Sequence, residues 1–163
     1  MFLVHRTLIY FGSKIVKHSY IMNRNLFFFL LLTSIVFACK KDNLHPVPSI
    51  PFNINININL PSYSGLQNIG GYAYVNNIGS KGVVVYRRSI DEFVAYDRQS
   101  TVDGGLDCGP VEIDEENSLL VNDVCGTSQY SLFDGSVVTG PAEFGLRGYL
   151  TIYDGAFTLN ISN

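Results

Sequence analysis

The chain has 163 residues, with 11 Lys and Arg against 14 Asp and Glu, a net charge of −3. That length is a prior for one domain, and without a basic excess no nucleic-acid partner is expected. Fifteen glycines, 10 Tyr and 11 Phe beside only 15% charged residues point to turn-rich β structure around an aromatic core. The charge is divided unevenly along the chain. Residues 1–39 hold four basic side chains (Arg6, Lys14, Lys17, Arg24) and no acid, whereas residues 40–163 hold seven basic side chains and all 14 acids.

Leu26 to Ala38 is an apolar run of 13 residues, broken only by Thr33 and Ser34. A comfortable membrane span needs about 20 residues, so the run suits the core of a signal peptide instead. With Arg24 before it and Val36-Phe37-Ala38-Cys39 at its end, it resembles a bacterial lipoprotein signal, in which cleavage precedes a cysteine that is then lipidated. The resemblance implies a lipid on Cys39 and a signal over residues 22–38, starting at Met22. Residues 1–21 then read as an over-extended gene start. Lys40 stands where an Asp would resemble an inner-membrane retention signal. The expected place is therefore the cell envelope, with the outer membrane favoured and its face left open.

Residues 39–51 carry Pro46, Pro48 and Pro51. Proline fixes φ and removes a donor, so this stretch is expected to be an extended tether from a membrane to a domain over residues 52–163. In that domain Phe52, Ile54, Ile56, Ile58 and Leu60 alternate with four asparagines. Period-two alternation predicts a half-buried strand. Further strands are expected at Tyr72–Val75, Gly82–Arg87, Phe93–Asp97, Leu119–Asn122, Gln129–Phe133, Tyr149–Tyr153 and Phe157–Ile161. Asp134-Gly135 and Asp154-Gly155 predict turns, and Ser89-Ile90-Asp91-Glu92 predicts one helical turn capped by Ser89. Short strands and glycine turns over about 110 residues give an all-β sandwich or incomplete barrel.

The order of these parts resembles the Rieske iron–sulfur family over most of residues 52–163. Gly82–Arg87 and Phe93–Arg98 lead into Cys108; Cys125 follows 17 residues later, then Tyr130 and Asp134-Gly135, then Gly140-Pro141-Ala142 with Leu146 and Tyr149. The resemblance implies antiparallel sheets with two cluster loops, and a [2Fe-2S] centre that needs two thiolates and two imidazoles. Yet the loops read Cys108-Gly109-Pro110 and Cys125-Gly126-Thr127-Ser128, with Pro110 and Ser128 where histidines belong. A second alignment sets Cys125-Gly126-Thr127 on the family's His-Gly-Ser and Asn122 on its second cysteine. Both leave two ligands missing. His5, His18 and His45 all precede Phe52, so no cofactor and no metal are expected.

Since the family's two loops converge, the resemblance implies that Cys108 and Cys125 come within bonding distance. A disulfide is the leading expectation, with free buried thiols and a metal using Asp107, Glu112 or Asp123 as alternatives. The run Glu112, Asp114, Glu115 and Glu116 reads as a solvated hairpin, more weakly as a docking face for a basic partner or divalent cation. Gly104-Gly105 reads as a turn, and the asparagines of residues 53–59 as a solvated strand face. Tyr72, Tyr74, Tyr86, Tyr96, Tyr149 and Tyr153 read as packing residues. The leading functional expectation is a membrane-anchored lipoprotein, not an enzyme, whose Rieske-like domain serves as a scaffold or interaction module for an envelope partner. The runners-up are [2Fe-2S] electron transfer and a thiol–disulfide redox module.

Overall fold

A computed structural model describes residues 44–102 and 109–163. Expectations placed on residues 1–43 and on Gly104, Gly105, Asp107 and Cys108 fall outside these described residues.

The fold is all β, with a short 3-10 helix at Pro61–Gln67 among the described residues. The strands are β1 (Asn53–Asn57), β2 (Tyr72–Val75), β3 (Val83–Arg87), β4 (Phe93–Asp97), β5 (Glu112–Ile113), β6 (Leu120–Asn122), β7 (Gln129–Ser131), β8 (Val137–Thr139), β9 (Gly148–Tyr153) and β10 (Thr158–Ser162). They form a six-stranded sheet in the order β1-β10-β9-β4-β3-β2 and a four-stranded sheet in the order β5-β6-β7-β8. Every pairing is antiparallel. The large sheet curls as an incomplete barrel.

The sequence Val83-Val84-Val85-Tyr86 is buried throughout because β3 has cover on both faces. Val83 and Val85 join Phe93, Ala95, Ile56, Leu159 and Ile161 inside the curl. Val84 and Tyr86 turn the other way and pack with Tyr96, Val121, Tyr130 and Leu132, sealing the small sheet to the large one. β3 and β4 are thus the shared wall of two cores. On β9 the small sheet gives no such cover, and Leu150 and Ile152 stay exposed.

β2 and β4 have the expected bounds, the other expected strands differ by one to three residues at an end, and β5 and β8 are additional. The predicted helical turn at Ser89–Glu92 is absent. Instead Arg88 and Ser89 both donate backbone N–H to Glu92 O, at 2.8 and 3.2 Å. The β3–β4 register, with Arg87 opposite Phe93, commits these residues to closing a hairpin. A 3-10 helix at Pro61–Gln67 was not expected; its few residues are too short for a periodic signal. It buries Leu66, and Arg87 holds its end by donating to Leu66 O and Gln67 O at 3.1 and 2.9 Å.

The expected tether needs correcting from Leu44 on. It has no regular structure, but residues 44–51 belong to the compact unit Leu44–Asn163. Val47 is fully buried, and its carbonyl accepts from Arg147 Nε at 2.9 Å. The prolines fix an extended path, and an apolar residue between them plugs it into the domain.

The acidic run does sit on the β5–β6 hairpin, whose Glu112 opposes Asn122. Asp114 there is held below its ordinary 3.8, first by the Asn122 side-chain amide. Asp134 is lowered chiefly by the Ser136 hydroxyl, and Asp154 by backbone N–H groups, Ala156 first. Asp154 receives three such donors, from Ala156, Phe157 and Thr158, at 2.8, 3.0 and 2.9 Å, around Gly155 at φ +79°. Depressed folded-state values stabilise above the unfolded pKa and lose that stabilisation as pH falls through the folded one. The thermal midpoint should therefore decline as pH is lowered from about 5 to about 2, and Asp154→Asn should flatten part of that decline.

Candidate functional site

The loops singled out by the sequence meet at one end of the small sheet. The β4–β5 connection begins at Arg98 and returns at Val111, and these ends are clipped together. Val111 N–H donates to Arg98 O at 2.7 Å, Arg98 Nε donates to Val111 O at 3.2 Å, and the guanidinium lies 3.9 Å from the Tyr74 ring centroid. The β6–β7 turn holds Cys125, and the β8–β9 connection holds Gly140-Pro141-Ala142.

Buried polar side chains lace these loops together. Tyr130, fully buried on β7, donates its hydroxyl to Thr101 Oγ1 at 3.0 Å and accepts Thr101 N–H at 3.3 Å; Thr101 Oγ1 donates onward to Phe144 O at 2.6 Å. Ser100 Oγ donates to Asp123 at 2.8 Å, and the same carboxylate accepts Cys125 N–H at 3.1 Å. Such groups are tolerated inside because each finds a partner. Gly126 packs closely here, since a Cβ would stand 2.7 Å from Asp123 Oδ2 and the carboxylate held by Ser100 would have to shift.

Ser128, which the first alignment of the resemblance sets in place of an imidazole, is 1% exposed and its Oγ accepts Ala142 N–H at 3.1 Å. Gly140, at φ +96°, brings backbone so close that its Cβ would lie 2.5 Å from Ser128 Cα. The serine ties the Cys125 turn to the proline loop. Pro110, which the resemblance sets in place of the other imidazole, has no side-chain donor atom.

His45 is part of the domain and not of a free tether. Its Nε2 donates to Gly145 O at 3.0 Å, its Nδ1 accepts Val47 N–H at 3.2 Å, and its ring meets Phe144 edge-on at 5.9 Å. Both ring nitrogens are spent. The sulfur of Cys125 is disulfide-bonded. These residues do not fit a centre needing two thiolates and two imidazoles.

Of the other candidate ligands, Asp107 lies outside the described residues, and Glu112 and Asp123 stand in different environments. Glu112 is exposed on β5 and Asp123 is buried under Ser100. Among the described residues no group of three or more His, Cys, Asp or Glu could hold a metal ion. Asn122, the cysteine position of the second alignment, belongs to a cross-strand chain: it donates to Asp114 at 2.7 Å and accepts from Gln129 at 3.0 Å. Beside it Asp123, Gly126, Thr127, Ser128 and Thr139 line an open polar depression of about 460 Å³. What the sequence did not disclose is the use of Ser100, Thr101 and Tyr130 as lacing; their partners lie 23 to 43 residues away.

Compared with known protein families, the chain matches no family model, and no curated protein matches it.

Proposed function

We propose that this protein is a lipid-anchored envelope protein whose Rieske-like domain has lost its cluster ligands and works as a non-catalytic scaffold or interaction module. The observation that carries the reading is Ser128: where an imidazole would be needed, the side chain is buried and engaged with Ala142 N–H. The strand order supports it, because the two loops named by the resemblance both lead to or from the small sheet, before β5 and between β6 and β7.

We also propose that Cys125 pairs with Cys108. Gly109 supports this, since a Cβ on it would lie 3.2 Å from Val124 Cγ2, so the residues flanking the two cysteines touch. The pair then staples the loops that a cluster would otherwise join.

The test is the full chain produced anaerobically with iron in excess. The expected protein is colourless, without acid-labile sulfide, and fractionates with membranes, while Cys39→Ser releases it. Stoichiometric iron and sulfide would promote electron transfer and overturn the degenerate-site reading. A Cys39→Ser protein that stays membrane-bound overturns the lipid anchor alone.

A further inference from the structure

We propose that β1 is a self-association edge, and that two copies of this chain join by antiparallel β1–β1 pairing into one continuous sheet. β1 ends the six-stranded sheet, and among the described residues its only strand partner is β10. The flanking bonds Ile58 N–H to Phe157 O and Asn163 N–H to Phe52 O set the phase of that ladder. Even-numbered residues 52 to 58 bond to β10, so the backbone groups of Asn53, Asn55 and Asn57 point off the sheet. Asn57 O meets Leu60 N–H in the following turn; the N–H groups of all three and the carbonyls of Asn53 and Asn55 face outward.

Sheet edges of this kind are ordinarily blunted by a charge, a proline or a bulge. Residues 53–57 have none of these: the register is unbroken, and no Asp, Glu, Lys or Arg occurs between Asp42 and Lys81. Among the described residues no strand covers this edge, and it is neutral towards a second copy.

What selects a second copy over another strand is the sequence itself. Asn53-Ile54-Asn55-Ile56-Asn57 reads the same in both directions. A two-fold axis at Asn55 sets Asn55 against Asn55, Asn53 against Asn57 and Ile54 against Ile56. Asparagine then meets asparagine on the outer face, and isoleucine meets isoleucine on the face of the curl, where Ile54 is only half-buried in a single copy. The outer row is pre-aligned, because Asn160 Nδ2 donates to Asn53 Oδ1 and Asn55 Oδ1 at 2.7 and 2.8 Å. Self-complementarity under a two-fold axis is what an isologous interface requires.

The experiment is oxidative cross-linking of the full chain in detergent, with Asn55→Cys against Asn160→Cys and the unsubstituted chain. In the proposed dimer the two residues 55 stand about 5.5 Å apart at Cα, within disulfide range. The two residues 160 are three strand spacings apart, about 14 Å, and cannot bridge. Asn55→Cys should give a reducible dimer that the other two chains lack. Asn55→Pro removes one outward N–H and no backbone bond to β10, its one loss to that strand being the exposed side-chain acceptor of Asn160, so it should abolish the dimer in sedimentation with little change in thermal midpoint. An Asn55→Cys dimer no stronger than that of Asn160→Cys, an unsubstituted chain of monomer mass, or a dimer undiminished by Asn55→Pro overturns the proposal.

Discussion

Asp97→Ala should destabilise the domain by about 3–5 kcal/mol, because it strips the acceptor from several buried donors at once. Asp97 is fully buried at the end of β4. Its Oδ2 accepts Ser80 N–H at 2.6 Å and the Tyr149 hydroxyl at 2.6 Å, and its Oδ1 accepts Lys81 N–H at 3.3 Å and Gln99 N–H at 2.8 Å. One carboxylate thus fixes the β2–β3 loop, the exit of β4 and the ring of Tyr149. A Cβ on Gly79 would come within 2.5 Å of the same Oδ2, so the loop is wrapped tightly around it. Alanine takes this acceptor away from three backbone N–H groups and a phenol. For a domain of this size the loss corresponds to a fall of about 10–20 °C in thermal midpoint.

Tyr149→Phe is the milder partner variant, costing about 1 kcal/mol, since Asp97 keeps its backbone donors. It also carries a pH signature. Burial, then the hydrogen bond to Asp97 and the charge of Asp97, push the Tyr149 phenol well above its ordinary 10.0. A raised folded-state pKa stabilises below the unfolded value and loses that stabilisation as pH rises past it. Wild-type stability should therefore fall above about pH 10, and Tyr149→Phe should flatten that fall. Some slope should remain, because burial raises Tyr96 as well. Equal slopes in the two proteins would remove Tyr149 from the account.

The strands were legible where the physics is local. The Asn/Ile alternation of β1 and the unbroken Val83–Tyr86 run encode one wet face and two dry faces, and those burials are observed. β5 was not legible because two residues inside an acidic run carry no period. The docking of residues 44–51 was hidden for a different reason. Pro46 and Pro48 announce an extended path, but nothing near Val47 announces that Arg147 and Gly145 wait 100 residues away. The site divides in the same way. The lack of histidines in residues 52–163 is plain from the sequence alone, whereas the use found for Ser128 depends on Ala142 across another loop.

Cys125→Ser should lower stability by about 3 kcal/mol if the bond closes the 18-residue loop from Cys108, less any strain in the folded loop. The sheets should persist. Tyr130, Thr101, Ser100 and Asp123 lace the same loops by hydrogen bonds, and the two hydrophobic cores do not include the cysteine. The loss should therefore appear as a lower thermal midpoint with an unchanged far-ultraviolet spectrum. Cys108→Ser should match it, and the double variant should cost no more than either alone, because one bond is removed in all three. If Cys108→Ser is silent while Cys125→Ser is not, the bond closes elsewhere and the proposed pairing fails. Thiol counting on the denatured oxidised chain separates the remaining functional readings. A bond opened by glutathione-range potentials marks a redox module, whereas one that resists them is a staple. The second outcome is expected. Cys125 is exposed, but the turn that carries it is held by Asp123 through Cys125 N–H and by Ser128 through Ala142, so reduction releases little else.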